Sequence, residues 1–315
     1  MNAESYETTD GIRLPVTTGG RLLRRFVGLT ARMSGFRRRI DHGWPRFEGG
    51  VRSPGRPGRV DSPTIVLVHG FGVDGATMLQ LGRLLVREHH VLIPDLPGFG
   101  EHPPRSCFES EGGPGIEAFL DGMDDLLDRL QIDRPLLVGC SMGGAIVANY
   151  AATRVERPSG IVLIGPGGIE PPIDSEVFAA AKRNEHMLRV HDRASFDRIY
   201  ELNFVKPPAL PGWVRSTIAR EAAPRSREYE RWLRSLEPVM LGGPERYRSI
   251  QCPTEIVWGD DDRIIDPSAA PLWRDAIDDC RVTIIPEAGH STMVEKPEAV
   301  AEVVEALANR LSGMR

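Results

Sequence analysis

Gly139-Cys140-Ser141-Met142-Gly143-Gly144 stands directly after the apolar run 135–138 and directly before a stretch with helical patterning. A serine with glycines two residues to either side, set between strand and helix, has the layout of a nucleophile elbow. The serine occupies a strained turn, and Gly139 and Gly143 must lack a Cβ for strand and helix to pack closely around it. A serine hydroxyl attacks poorly until a base takes its proton. That base is expected late in the chain, on the loop after the last strand. The run 282–285 reads as that strand, and Pro286-Glu287-Ala288-Gly289-His290 as that loop. An imidazole can accept the serine proton and return it to a leaving group, so His290 is the candidate base. The other seven histidines lack this setting and are expected to be surface or packing residues.

A third group should orient the imidazole and balance its charge. Trp258-Gly259-Asp260-Asp261-Asp262-Arg263 places three carboxylates on the preceding loop, and residue types alone leave the choice among them open. An oxyanion needs two backbone donors. Met142, next after the serine, supplies one, and Phe71 of His69-Gly70-Phe71-Gly72 supplies the other. His69 itself is expected to be structural. Asp95-Leu96-Pro97-Gly98-Phe99-Gly100 is expected to form a tight turn fixed by Asp95.

These residues need a scaffold. Six short apolar runs, at 64–68, 91–94, 136–139, 161–165, 255–258 and 282–285, read as buried strands. Helical patterns at 76–88, 115–131, 143–153, 267–277 and 297–311 separate most of them, which predicts a mostly parallel α/β sheet. Gly49-Gly50 and the Pro/Gly-rich stretch 53–58 suggest a hairpin before the first core strand. From 166 to 250 no strand pattern occurs, only helical stretches cut by Pro171-Pro172, Pro207-Pro208, Pro211 and Pro224. That is too long for a loop and is expected to be a helical cap. The expected organisation is therefore an N-terminal segment 1–60, a core of 61–165 and 251–315, and a cap of 166–250.

Composition narrows the class. The chain has 315 residues, 41% of them hydrophobic, and a net charge of −5, which argues against a general nucleic-acid binder. Cys107, Cys140, Cys252 and Cys280 match neither zinc spacing nor a disulfide framework, and reduced thiols point to a cytoplasmic protein. No metal-binding or nucleotide-binding motif occurs, so no cofactor is expected. No apolar run reaches membrane-spanning length, and residues 1–20 lack the layout of a secretory signal. Residues 21–39 hold seven arginines and no acid. Leu22, Phe26, Leu29, Met33, Phe36 and Ile40 recur at spacings of three and four, the pattern of a basic amphipathic helix. Such a helix either docks on its own protein or a partner, or makes peripheral contact with a membrane through residues 21–40.

Taken in order, His69 to Gly72, Asp95 to Gly100, the Ser141 elbow, Trp258 to Asp262 and Gly289-His290 through Glu295-Lys296-Pro297 resemble the α/β-hydrolase-fold serine hydrolases. The resemblance covers about residues 60–312 outside much of the cap. It implies a Ser141–Asp262–His290 triad, because the family's acid usually stands fourth after the tryptophan. Ser141 to Ala152, Asn203 to Pro208 and Trp258 to Pro267 are similar to the monoacylglycerol-lipase-like hydrolases and related bacterial lipases. This implies hydrolysis of acylglycerols or other apolar carboxylic esters of medium size. The alternative is a carbon–carbon hydrolase of ring-cleavage products, whose members share Ser-Met-Gly-Gly and a stretch like Gly165-Pro166-Gly167-Gly168. Two departures, Glu101-His102 and Ala76-Thr77-Met78, bear on the pocket and not on the triad. Apolar cap residues, Phe204 and Trp213 among them, are expected to offer the acyl-binding surface.

Overall fold

The computed structural model describes residues 5–7, 13–15, 17–41, 43–50, 62–104, 108, 112–183 and 185–313. Strands β1 (Ser5–Glu7) and β2 (Arg13–Pro15) pair with each other apart from the main sheet. The main sheet holds β3 (Phe36–Asp41), β4 (Trp44–Gly49), β5 (Ile65–Val68), β6 (Val91–Pro94), β7 (Leu136–Cys140), β8 (Gly160–Ile164), β9 (Thr254–Gly259) and β10 (Cys280–Ile285). Its order is β10-β9-β8-β7-β5-β6-β4-β3, parallel throughout except that β4 runs against both its neighbours.

Helices cover both faces, as strands apolar on both sides require. Val66, Val68, Leu137, Leu163 and Trp258 pack on one side with α3 (Ile116–Arg129), α4 (Met142–Thr153) and α9 (Ala270–Ala276). Ile65, Leu67, Leu136, Val162 and Val257 pack on the other with α2 (Leu79–Leu85) and α11 (Pro297–Gly313). The two sets alternate along each strand, the period of a pleated sheet. A short helix, α10 (Thr292–Glu295), leads into α11.

Between β8 and β9 lie α5 (Glu176–Ala181), α6 (Arg193–Leu202), α7 (Gly212–Ala222) and α8 (Ser226–Met240), with no strand among the described residues. Pro211 is the N-cap of α7 and Pro224 sits in the single 3-10 turn that separates α7 from α8. Pro238, by contrast, lies inside α8. Trp232 of α8 is buried against Phe99 and Phe108, and Leu236 is buried in the same cluster, so the cap shares a core with the sheet.

The N-terminal region corrects two expectations. The helical stripe does not run to Ile40: α1 spans Thr18–Met33, Gly35 turns the chain at φ +90°, and Phe36 is a buried residue of β3. The positive φ stops the helix where a side chain would be strained. The hairpin forms between β3 and β4, one strand earlier than the glycines at 49–50 suggested, and it joins the main sheet instead of a separate segment. Most of the Pro/Gly stretch at 53–58 lies outside the described residues. No described helix is long and apolar enough to cross a membrane.

Candidate active site

The parallel strands deliver the chemistry at their carboxyl ends, where open α/β sheets hold ligands. Ser141 follows β7 and opens α4 with φ 56° and ψ −118°. A non-glycine residue in that region costs on the order of 1–3 kcal/mol and persists only when its surroundings fix it. Here the surroundings are backbone. A Cβ on Gly139 would lie 2.3 Å from the Gly143 carbonyl oxygen, and one on Gly143 would lie 2.4 Å from the His69 carbonyl oxygen. Ser141 N–H donates to the Ile164 carbonyl at 2.9 Å, and its own carbonyl accepts from Gly167 N–H at 3.2 Å.

Strands β9 and β10 pair in register with Gly259 opposite Ile285, so the loops that follow leave the sheet side by side. His290 Nδ1–H donates to Asp262 Oδ2 at 2.7 Å, with both residues buried. This bond places the ring proton on Nδ1 and leaves Nε2 free to act as a base. Asp262 Oδ1 accepts from the Ile264 and Ile265 N–H groups at 2.9 and 3.0 Å, and Oδ2 accepts from Trp258 Nε1–H at 3.1 Å. Asp260 and Asp261 are exposed.

Three parts of this half are not legible in the sequence pattern. Trp258 reaches Asp262 because its strand position aims the indole at the following turn, which only the fold reveals. Gly165, at φ +47°, lies against the pair: a Cβ there would sit 3.1 Å from Asp262 Oδ2 and 3.4 Å from His290 Nδ1. The Glu295 carboxylate accepts from Gly289 N–H at 2.9 Å, Val205 N–H at 3.2 Å and Lys206 N–H at 2.6 Å. It thereby ties the histidine loop to the cap, and Ser291 N–H donating to Asn203 O at 2.9 Å adds a second tie.

On the opposite side, the Met142 N–H is first in α4 and has no acceptor within its own helix. The loop 69–75 brings Phe71 to the same edge of the sheet. Its ring meets Phe99 at 5.7 Å and Tyr229 of α8 at 5.6 Å, both edge-on. His69 is fully buried, accepts from Leu96 N–H at Nε2 (3.0 Å) and donates from Nδ1 to Gly70 O (2.8 Å). Burial pushes its pKa down, so it stays neutral and braces the loop. Asp95 accepts from Gly75 N–H at 3.0 Å, Glu101 N–H at 3.0 Å and Arg38 Nη2 at 2.6 Å. Arg38 also meets Glu101, which pairs with Arg24 of α1. Burial, and then the nearby Asp95 charge, pushes the Asp74 carboxyl up to about 6.

Of the two cap residues expected to bind an acyl chain, Phe204 is buried beside the histidine loop, its Cα 2.9 Å from where a Gly289 Cβ would lie. Trp213 is 55% exposed in the first turn of α7. Cys140, next to Ser141, is buried, and burial with the Asp262 charge pushes its thiol up to about 12.

Known proteins share the fold and much of the sequence pattern. Lipase 1 of Psychrobacter immobilis is 29% identical over 265 residues, covering 82% of this chain and 80% of its own. Monoacylglycerol lipase ABHD6 of Homo sapiens is 25% identical over 265 residues, covering 79% and 76%. The crystal structure of a bacterial membrane phospholipase A superposes with a TM-score of 0.83 at 26% identity, covering 93% of this chain and 92% of that one. Residues 65–303 match the model of the alpha/beta hydrolase family, and this chain belongs to that family.

Proposed function

We propose that the chain is a carboxylic ester hydrolase that works through an acyl-enzyme. The carrying observation is the His290–Asp262 bond of 2.7 Å on the loop beside the strained Ser141 elbow. In this reading His290 Nε2 takes the Ser141 proton as Oγ adds to the ester carbonyl. The Phe71 and Met142 N–H groups hold the oxyanion. Collapse expels the alcohol, protonated by His290, and leaves an acyl-serine. Water, deprotonated by the same imidazole, then releases the acid.

The substrates proposed are acylglycerols or other apolar esters of medium size, in keeping with relatives that are named lipases. Phe204 is proposed to border the acyl slot and Trp213 its entrance, with substrate reached at a membrane surface through residues 21–40. A carbon–carbon hydrolase would need spare cations in the cap for an acidic ring-cleavage product. Arg193 and Arg215 instead pair with Asp197, Arg225 pairs with Glu228, and Arg198, Arg220 and Arg227, which have no ion pair among the described residues, are exposed at the surface, which favours the ester.

The test is a panel of aryl esters of increasing acyl length beside one ring-cleavage product. Each added methylene should raise kcat/KM by up to about fourfold, until the slot is filled. Phe204→Ala should move that limit. Turnover of the ring-cleavage product alone would replace this reading with the alternative.

A further inference from the structure

Helix α1 turns its larger apolar side chains away from its own core. An amphipathic helix normally turns its apolar stripe inward. Here Leu22, Phe26, Leu29 and Met33 are 56%, 63%, 58% and 81% exposed, and Ile40 of β3 adds another at 55%. The inner face is mostly small or polar, with Val27 as its one larger apolar contact to the core among the described residues. Gly20 and Ala31 are buried, the Thr17 N–H and hydroxyl both donate to Glu221 of α7, and Arg24 pairs with Glu101. The helix is therefore tied down by polar bonds and by the small contacts of Val27 and Ala31, and it offers its larger apolar stripe outward.

The charge around that stripe selects what can cover it. Arg21, Arg25 and Arg32 are exposed on the flank of that stripe, Arg37 and Arg39 are exposed on the edge strand β3, and no acid occurs between residues 17 and 40. Arg25, Arg32, Arg37 and Arg39 have no ion pair among the described residues. With a net charge of −5 overall and seven arginines in 21–39, the rest of the chain carries −12. A second copy meeting this face with its own would press two arginine rows together. An apolar surface bearing negative headgroups satisfies both halves of the pattern.

We infer that the outward face of α1 with β3 is a docking surface for an anionic lipid bilayer, with the apolar stripe in the acyl boundary and the arginines at the headgroups. The helix does not span the membrane but lies along it. Because its first turn is bonded to α7, docking sets the bilayer beside the cap, where Trp213 is also exposed. This deepens the proposed ester-hydrolase reading and rests on it for the purpose of the contact.

The experiment uses the full chain as Ser141→Ala, so that vesicles are bound and not digested. Flotation is measured with vesicles of phosphatidylcholine alone and with one-third phosphatidylglycerol. We expect binding to the anionic vesicles only, released by high salt. Arg25→Gln, Arg32→Gln, Arg37→Gln and Arg39→Gln together should weaken partitioning by up to about 600-fold, at about fivefold per arginine. Phe26→Ser with Met33→Ser should weaken it by about tenfold or more at low salt, where the wild type is bound. Absence of binding, equal binding to neutral vesicles, or binding indifferent to both variants overturns the inference. So does a dimer in sedimentation that the Phe26/Met33 variant dissolves while vesicles stay unbound. Wild-type turnover of a short, soluble aryl ester is read in parallel. Turnover without vesicle binding sinks the docking surface alone, and binding without turnover sinks the ester reading alone.

Discussion

The two halves of the candidate site are held by different forces. On the acid–base side, Asp262 and Glu295 are satisfied by hydrogen bonds from Trp258, from His290 and from backbone N–H groups, two of them in the cap. On the oxyanion side, the loop 69–75 is braced by His69 and by a knot of charges, Asp74, Asp95 and Glu101 with Arg38 and Arg24, that leads to the N-terminal strand and helix. Neutral donors around a carboxylate give geometry that changes little with pH or salt. Packed like charges give geometry that depends on which of them is ionised. The halves should therefore fail under different perturbations: the first when a tie to the cap is cut, the second when the protonation of its acids changes.

Ser141→Ala removes the atom both halves serve, so it should lower ester turnover by about 10⁴-fold or more with little change in melting temperature. Near-normal activity would dissolve the comparison altogether. Asp262→Asn strikes the acid–base half alone. By disturbing the imidazole tautomer it should cost on the order of 10⁴ in kcat, while Asp260→Asn and Asp261→Asn cost little. A larger loss at Asp260 or Asp261 would move the acid by a residue or two.

Glu295→Ala tests the tie to the cap. Three N–H groups lose their acceptor, and kcat should fall about 10- to 100-fold with partial rescue by Glu295→Gln. Unchanged kinetics would mean that the histidine loop holds itself. The smallest effect belongs to the other half. Asp74 has its folded pKa raised from 3.8 to about 6, so its contribution to stability is present below 3.8 and is lost as pH rises through 6. Asp74→Asn keeps an acceptor for Ala76 N–H but not the charge. It should gain about 1–3 kcal/mol over the wild type above that window and nothing below it. Melting curves of the two proteins that stay parallel from pH 4 to 8 would refute the charge-knot description.

Much of the scaffold was legible because its signals are local. Buried parallel strands such as β5 and β7 are unbroken apolar runs, and the elbow is a contiguous motif. Strands β3 and β4 show no apolar run because Phe-Arg-Arg-Arg-Ile-Asp and Trp-Pro-Arg-Phe-Glu-Gly carry arginines: Arg37 and Arg39 of the edge strand β3 are exposed, Arg38 reaches a distant acid, and the buried Arg46 of β4 pairs with Glu48. The stripe from Leu22 to Ile40 kept helical spacing across Gly35, and spacing alone does not reveal that the last two positions belong to a strand. Nor does it say which way a stripe faces, since that depends on what the opposite side can bond. The ties made by Trp258 and Glu295 were invisible for another reason. Glu295 and Val205, 90 positions apart, become neighbours only after folding, and Trp258, four positions from Asp262, reaches it only through the turn between them.

The placement of Cys140 has a practical consequence for chemical labelling. A thiol one residue from the candidate nucleophile would ordinarily confuse any covalent probe of the site. With its titration pushed up to about 12, only about one molecule in 10⁴ carries the reactive thiolate at pH 8, and the side chain is 2% exposed. Iodoacetamide should pass it by, whereas a fluorophosphonate should mark Ser141. A labelled peptide spanning the elbow would then report on the serine, with no need to replace the cysteine first.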